Sequence, residues 1–428
     1  MNWVEMDRQR VWHPYTQHGL GVDPLPIRGG RGAYLEPLHG PPLLDAISSW
    51  WVNVHGHAHP HINRAIAEQA DRLEHVIFSG FAHEPAARLA DQLVGLAHQS
   101  GARSERVFYS DNGSTAVEVA LKIAYQAHLN RGQTTRRKFL ALQHSYHGDT
   151  FGAMAVSEPE GFHSVFRPLL FPVDFVNAQD PGSLERLLQA APEGYAALIV
   201  EPMVQGAGGM RWVSAEFLRQ AEKLCREYGV TLICDEVFTG FYRTGKRFAF
   251  EHAGLSPDLI CVSKGLTGGY LPLSATLATA DLYEAFLGSE VSQALLHGHS
   301  YTANPVACAA ALASLELLEA APCQAEIARI THETQRHIAE LGRRLAPRGT
   351  RDARALGTIG AIDLPALGGY GSQAGQVIRN RSRALGVLLR PLGPVVYAVP
   401  PYCVTSPELR LIYEVMGQVI EEAIPAGA

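Results

Sequence analysis

The sequence predicts an α/β fold: a mostly parallel sheet flanked by helices, with a smaller α+β region beside it. Three observations predict this. Short apolar runs recur through the middle of the chain, helix-patterned stretches separate them, and the pattern changes after a long run of small residues near position 319.

With 428 residues the chain is long enough for two or three domains around sizeable cores. The runs 138–143, 196–201, 231–235, 258–263 and 273–279 have the length and β-rich composition of buried strands. Between them, segments such as 215–228 place Phe217, Leu218, Ala221 and Leu224 at helical spacing. Strand and helix in alternation are the units of a parallel sheet. In 305–319, Ala307, Ala310, Ala311, Leu315 and Leu318 describe a long helix with a small-residue packing face, which Pro322 is expected to stop. Beyond it the helix-like 327–345 and the strand-like 395–399 predict a smaller unit. The expected division is a large domain over 46–320 and a small one formed by 1–45 with 321–428.

Thirty-six basic residues against 42 acidic ones give a net charge of −6, which disfavours a generic nucleic-acid binder. The first ten residues alternate charge with apolar side chains and lack the apolar core of a secretory signal. The longest uncharged stretches, 265–280 and 391–406, fall short of the roughly 20 apolar residues of a membrane span. Six cysteines without a Cys-x-x-Cys pair read as reduced, mostly buried thiols, so a cytoplasmic location is expected.

Ligands of open α/β sheets sit beyond the carboxyl ends of the strands. Three charged residues stand there: Glu201 after 197–200, Asp235 after 232–234 and Lys264 after 259–263. A charge abutting a buried strand is costly without a partner, and Asp235 and Lys264, 29 positions apart, suit neighbouring strands. A structural ion pair is one reading. The other is a reactive amine, since glycines around Lys264 in Ser263-Lys-Gly-Leu-Thr-Gly-Gly269 admit close backbone approach, and burial lowers an amine's pKa.

The stretch Ser110-Asp-Asn-Gly-Ser-Thr-Ala116 runs into a strongly helical segment and offers amide groups and the hydroxyls of Ser114 and Thr115 to a phosphate; an ordinary helix cap is the plainer alternative. It is not a Walker loop, and the glycine clusters at 206–209 and 265–269 are poor dinucleotide fingerprints. A phosphate seat, an acid at one strand end and a lysine at the next together suit pyridoxal 5′-phosphate, with Tyr146 placed to stack on its ring. The alternating His55, His57, His59 and His61 suggest a metal only weakly, because Gly56 and Pro60 break a strand and no carboxylate cluster completes a ligand set. A turn leading into a helix after Asn63 is expected instead, and no metal.

At Asp235-Glu-Val-Phe-Thr-Gly-Phe-Tyr-Arg-Thr-Gly-Lys246, Pro257-Asp-Leu-Ile-Cys-Val-Ser-Lys264 and Ser145-Tyr-His-Gly-Asp149 the chain resembles the class-III, fold-type I pyridoxal-phosphate aminotransferases. Trp12-His-Pro-Tyr-Thr16, Ser48-Ser-Trp-Trp51, Arg390-Pro-Leu-Gly393 and Val399-Pro-Pro-Tyr402 extend the likeness over nearly the whole chain. Within the class they resemble the branch that aminates 8-amino-7-oxononanoate with S-adenosylmethionine in biotin synthesis.

The resemblance implies Lys264 as the imine-forming lysine, Asp235 as partner of the pyridinium nitrogen, Gly113 and Ser114 at the phosphate, and Tyr146 against the ring. It implies a substrate pocket of Tyr15, Trp50, Trp51, Tyr146, Lys264 and Arg390. Aromatic walls and a guanidinium suit a nine-carbon acceptor ending in a carboxylate. Adjacent tryptophans on a regular strand face opposite ways, so both lining one pocket requires an irregular backbone. It also implies a homodimer, with Gly298, His299 and Ser300 of one subunit serving the site of the other. His299-Ser300 replaces the family's usual Pro-Thr, keeping a hydroxyl but losing proline's rigidity. A broad ω-amino transaminase, an aminomutase or a non-catalytic cofactor-binding scaffold would share Lys264 and Asp235, and the donor stays open between S-adenosylmethionine and lysine.

Overall fold

The computed structural model describes residues 2–21, 23–158, 163–180, 182–369 and 372–424; Met1, Val22, 159–162, Pro181, 370–371 and 425–428 lie outside the described residues. A seven-stranded sheet runs in the order Ser104–Ser110, Ser274–Thr279, Leu259–Val262, Thr231–Asp235, Tyr195–Val200, Lys138–Leu142 and Val173–Val176. Five of these strands pair in parallel, and six of the seven run in one direction. Ser274–Thr279 is antiparallel to both neighbours. The reason is its connection: the 11 residues 263–273 are too few for a helical crossover, so the chain turns back beside the strand it has just left.

The alternation within each strand feeds two cores. Ile199, Ile233, Leu259 and Cys261 face the helix Gly113–Asn130 through Ala116, Val117 and Ala120. Leu198, Val200, Leu232, Cys234, Ile260 and Val262 face the other side, where the helix Ala215–Tyr228 packs with Phe217, Leu218, Ala221 and Leu224. Burial on both faces is why these strands read as continuous apolar runs.

The helix Pro305–Glu319 forms as expected, but its small residues pack inside the chain, against the helices Pro60–Arg72 and Glu84–Gln99. Pro322 does not simply end it. It sits in the first turn of the next helix, Ala321–Leu345, where its missing N–H costs nothing, and the axis turns by 68° between the two. The helix expected after Asn63 begins earlier, at Pro60, because His59 caps it, accepting from the His61 N–H at 3.3 Å.

The chain ends meet in one sheet. Strands Ile27–Arg31, Tyr34–Pro37 and Leu43–Asp45 continue into Val387–Leu388, while Arg351–Leu356, Ile359–Asp363 and Val395–Ala398 form a second, antiparallel sheet covered by Ala321–Leu345. All six cysteines are unpaired and four are buried. Among the described residues no single helix is long and apolar enough to cross a membrane.

Candidate active site

A cavity of about 390 Å³ opens beyond the carboxyl ends of the parallel strands, lined by Gly113, Ser114, Tyr146, Asp235, Val237 and Lys264 among others. Lys264 follows its strand in a tight turn at φ +39°, a conformation that costs an L-residue energy and is held by buried surroundings. Its Nζ lies 4.5 Å from the Trp51 ring centre and 5.7 Å from that of Phe238. Burial is the main reason its pKa falls to about 8, against the pull of Asp235 and Glu201 and with a smaller push from Arg243.

Asp235 makes no ion pair with Lys264. Its Oδ1 accepts the Val237 N–H at 3.0 Å, and its Oδ2 accepts from His147 Nδ1 at 2.7 Å, with both side chains buried. The simple ion-pair reading therefore gives way: acid and amine stand in one cavity, and each stays available to a third group. Sequence spacing held no sign of His147 as the acid's partner, 88 positions upstream. Glu201 lies beneath, accepting the Tyr146 and Gly206 N–H groups, both at 2.9 Å, and burial pushes its carboxyl up to about 7.

Gly113 opens its helix, capped by a reciprocal pair between Asn112 and Thr115. The helix cap forms, and it consumes the Thr115 hydroxyl, which donates to the Asn112 carbonyl at 2.8 Å. Ser114 faces the cavity, its Oγ accepting the Asp149 N–H at 3.1 Å. A methyl group on Gly113 would lie 2.5 Å from Val237 Cγ1, so only glycine lets the helix start and Val237 close on one space.

A second cavity of about 410 Å³ adjoins the first and shares Trp51, Tyr146 and Lys264 with it; Tyr15, Trp50 and Arg390 also line it. Ser48, Ser49, Trp50 and Trp51 all have positive φ, from 45° to 74°, which is the irregular backbone that two neighbouring tryptophans on one pocket require. Trp51 is buried and donates its Nε1–H to the Tyr397 hydroxyl at 3.2 Å; Trp50 is 38% exposed and carries the Arg390 guanidinium 4.4 Å over its ring. Arg243, fully buried, anchors the loop through the carbonyls of Trp51 at 3.0 Å, Asn53 at 3.2 Å and Pro400 at 2.9 Å. The Tyr15 hydroxyl donates to Asp149 and lies 3.3 Å from that of Tyr146, and burial pushes the Tyr146 phenol well up.

Gly298, His299 and Ser300 do not line the cavity of their own chain. They occupy an exposed stretch in which His299 lies 3.5 Å from Asp111 at the cavity rim. The alternating histidines turn to separate partners: His55 to Ser314, His57 to Asp45 and His61 to Glu316.

Residues 16–420 match the class-III aminotransferase family. The chain belongs to that family. Over 426 residues it is 47% identical to the adenosylmethionine-8-amino-7-oxononanoate aminotransferase of Synechococcus elongatus, with 96% of this chain and 98% of the relative covered. The crystal structure of the enzyme of the same name from Methanocaldococcus jannaschii superposes with a TM-score of 0.91 at 36% identity, covering 98% of each chain. An amine transaminase from an uncultivated Pseudomonas species, solved with pyridoxal phosphate bound, superposes with a TM-score of 0.89 at 31% identity over 97% of this chain and 99% of that one. This class-III aminotransferase is thus a fold-type I, pyridoxal-phosphate-dependent enzyme.

Proposed function

We propose that this aminotransferase converts 8-amino-7-oxononanoate to 7,8-diaminononanoate in biotin synthesis, taking the amino group from S-adenosylmethionine in a ping-pong cycle. The observation that carries the reading is the convergence of Tyr15, Trp50, Trp51, Tyr146, Lys264 and Arg390 on one cavity, with aromatic walls between an amine and a guanidinium. The family relatives of nearly equal length that bear this activity's name support it.

The residues fit the cofactor. Pyridoxal phosphate, when bound, supplies an aldehyde carbon and an electron-withdrawing ring. Lys264 would hold it through Nζ, Asp235, its carboxylate fixed by His147, would partner the ring nitrogen, and the Gly113 and Ser114 amides with the Ser114 hydroxyl would hold the phosphate. Tyr146 and Val237, which line the same cavity, would pack against the ring. With its amine near pH 8, Lys264 has a substantial neutral fraction at physiological pH, so Nζ can take a proton from the donor's Cα and return one to the acceptor carbon. Arg390 makes a charge-assisted bond to the acceptor's carboxylate, and the tryptophan loop excludes water from its chain. In this reading the large domain spans 46–320, 1–45 join 321–428, and the protein is a cytoplasmic homodimer. Gly298, His299 and Ser300 of a second copy complete each phosphate seat and pocket.

The test separates the half-reactions. Purified holoenzyme is mixed with S-adenosylmethionine alone, or with lysine alone, while the cofactor absorption is followed; 8-amino-7-oxononanoate is then added. S-Adenosylmethionine converts the band and the acceptor restores it. Conversion by lysine only would change the donor, and an acceptor unable to restore the band would defeat the assignment.

A further inference from the structure

A third cavity, of about 490 Å³, lies outside the substrate pocket and shares Tyr15, Trp50, Arg390 and Pro391 with it. The proposed chemistry leaves it unused. Two further arginines face it, Arg379 and Arg383, one helical turn apart on the helix Gln373–Ala384. Neither has an acidic partner among the described residues, and the Nε–H of each is buried without an acceptor. Arg381, between them, turns away to Glu422 at 2.6 Å. The acid among the described lining residues is Asp23, whose carboxylate is already held by Arg8 at 2.7 and 3.1 Å.

Arg379 and Arg383 thus face one cavity with no free counter-charge among the described residues that line it. Buried donors without acceptors and clustered like charges each cost free energy, and native structures rarely keep both without a ligand that answers them. The repulsion is felt within the cluster: burial first, then Arg379 and Arg390, lowers the pKa of Arg383. Guanidinium forks match the paired oxygens of a carboxylate or of a tetrahedral oxyanion.

We propose that Arg379 and Arg383 form a second anion site, outside the carboxylate seat at Arg390, that takes a small oxyanion of charge −2, either a dicarboxylate or an inorganic anion of the sulfate and phosphate class. The site goes beyond the proposed activity, and its occupancy does not require the acceptor assignment to be correct. An anion there stands between solvent and Arg390 and competes with incoming carboxylates.

The experiment uses holoenzyme, so that the cofactor's phosphate seat is filled, and measures binding of sulfate and of succinate by calorimetry at constant ionic strength set with chloride. At least one binds saturably, one per chain, and which of them does so identifies the source. Arg379→Gln with Arg383→Gln weakens that binding by about tenfold or more, whereas Arg390→Gln changes it by less than about threefold. Retained cofactor absorption shows that the variants are folded. Should the glutamine pair lose the cofactor, Arg379→Lys with Arg383→Lys decides: the charge remains but the fork is gone, so affinity falls by about threefold to tenfold. The proposal is overturned by no saturable binding to the parent, by unchanged affinity in the arginine-pair variants, or by loss of binding in Arg390→Gln alone, which would place the anion at the acceptor seat.

Discussion

The two sides of the catalytic cleft are built differently. On the cofactor side, Glu201, Asp235 and Lys264 follow parallel strands, so a regular sheet aims them at one point. On the substrate side, Tyr15, the Ser48–Trp51 loop and Arg390 come from segments far apart in the chain, and four successive residues of the loop are left-handed. The sheet side stores its energy in buried charge, the loop side in backbone conformation. The difference teaches that, under the proposed function, chemistry is fixed by periodic structure, while substrate choice rests on an irregular loop held from outside by Arg243 and Asp45. Changes on the first side should therefore alter the chemical step, and changes on the second should alter acceptor binding.

The largest effect is expected at Lys264. Lys264→Ala removes both the covalent anchor and the proton carrier, and turnover falls by at least about 10³-fold. Stopped-flow absorption with a donor amine checks this; a variant retaining a tenth of the parent rate would move the base elsewhere.

Next comes stability of the apoprotein. The folded amine titrates near 8, below its ordinary 10.5, so between these values the unfolded chain holds more protons and stability rises with pH. Lys264→Met removes that dependence. At pH 7 the apo variant is more stable than the apo parent by on the order of 3 kcal/mol, and the gap closes towards pH 10.5. Denaturant unfolding at several pH values measures it, and parallel curves would show that the buried amine is not strained.

Arg390→Gln tests the other side. Acceptor KM rises by about tenfold to 100-fold while kcat and the donor half-reaction change little, because a charge-assisted bond distant from the reacting carbon is lost. Equal losses in both half-reactions would contradict the division between the two sides.

How much of this was legible in the sequence follows the same line. Glu201, Asp235 and Lys264 were readable because each ends an apolar run, and the helix Ala215–Tyr228 because its apolar face recurs at helical spacing. The strands Ser104–Ser110 and Val173–Val176 escaped, since Glu105, Arg106 and Asp174 interrupt their apolar patterns near the margins of the sheet. His147 escaped because its partner is set by tertiary packing, and the antiparallel turn of Ser274–Thr279 because connection length, not strand composition, decides direction. Trp50 and Trp51 entered through family resemblance; nothing in Ser-Ser-Trp-Trp itself signals four left-handed residues. Arg379 and Arg383 carry no signal in the sequence, because only the fold turns them onto a cavity.

The smallest predicted effect sharpens the comparison most. Asp45 is buried and holds the loop by accepting from Ser49 Oγ at 2.7 Å, His57 Nε2 at 3.1 Å and the Ile47 N–H at 3.3 Å. It lies at the end of its own strand and does not line either catalytic cavity. Asp45→Asn keeps the shape but places an N–H₂ among three donors, at a cost of about 0.5–1.5 kcal/mol in loop ordering. The cofactor band and the donor half-reaction should stay as in the parent, while acceptor KM rises by roughly threefold to tenfold. If the donor half-reaction slows by the same factor instead, the loop also shapes the cofactor side, and the two halves of the cleft are energetically one.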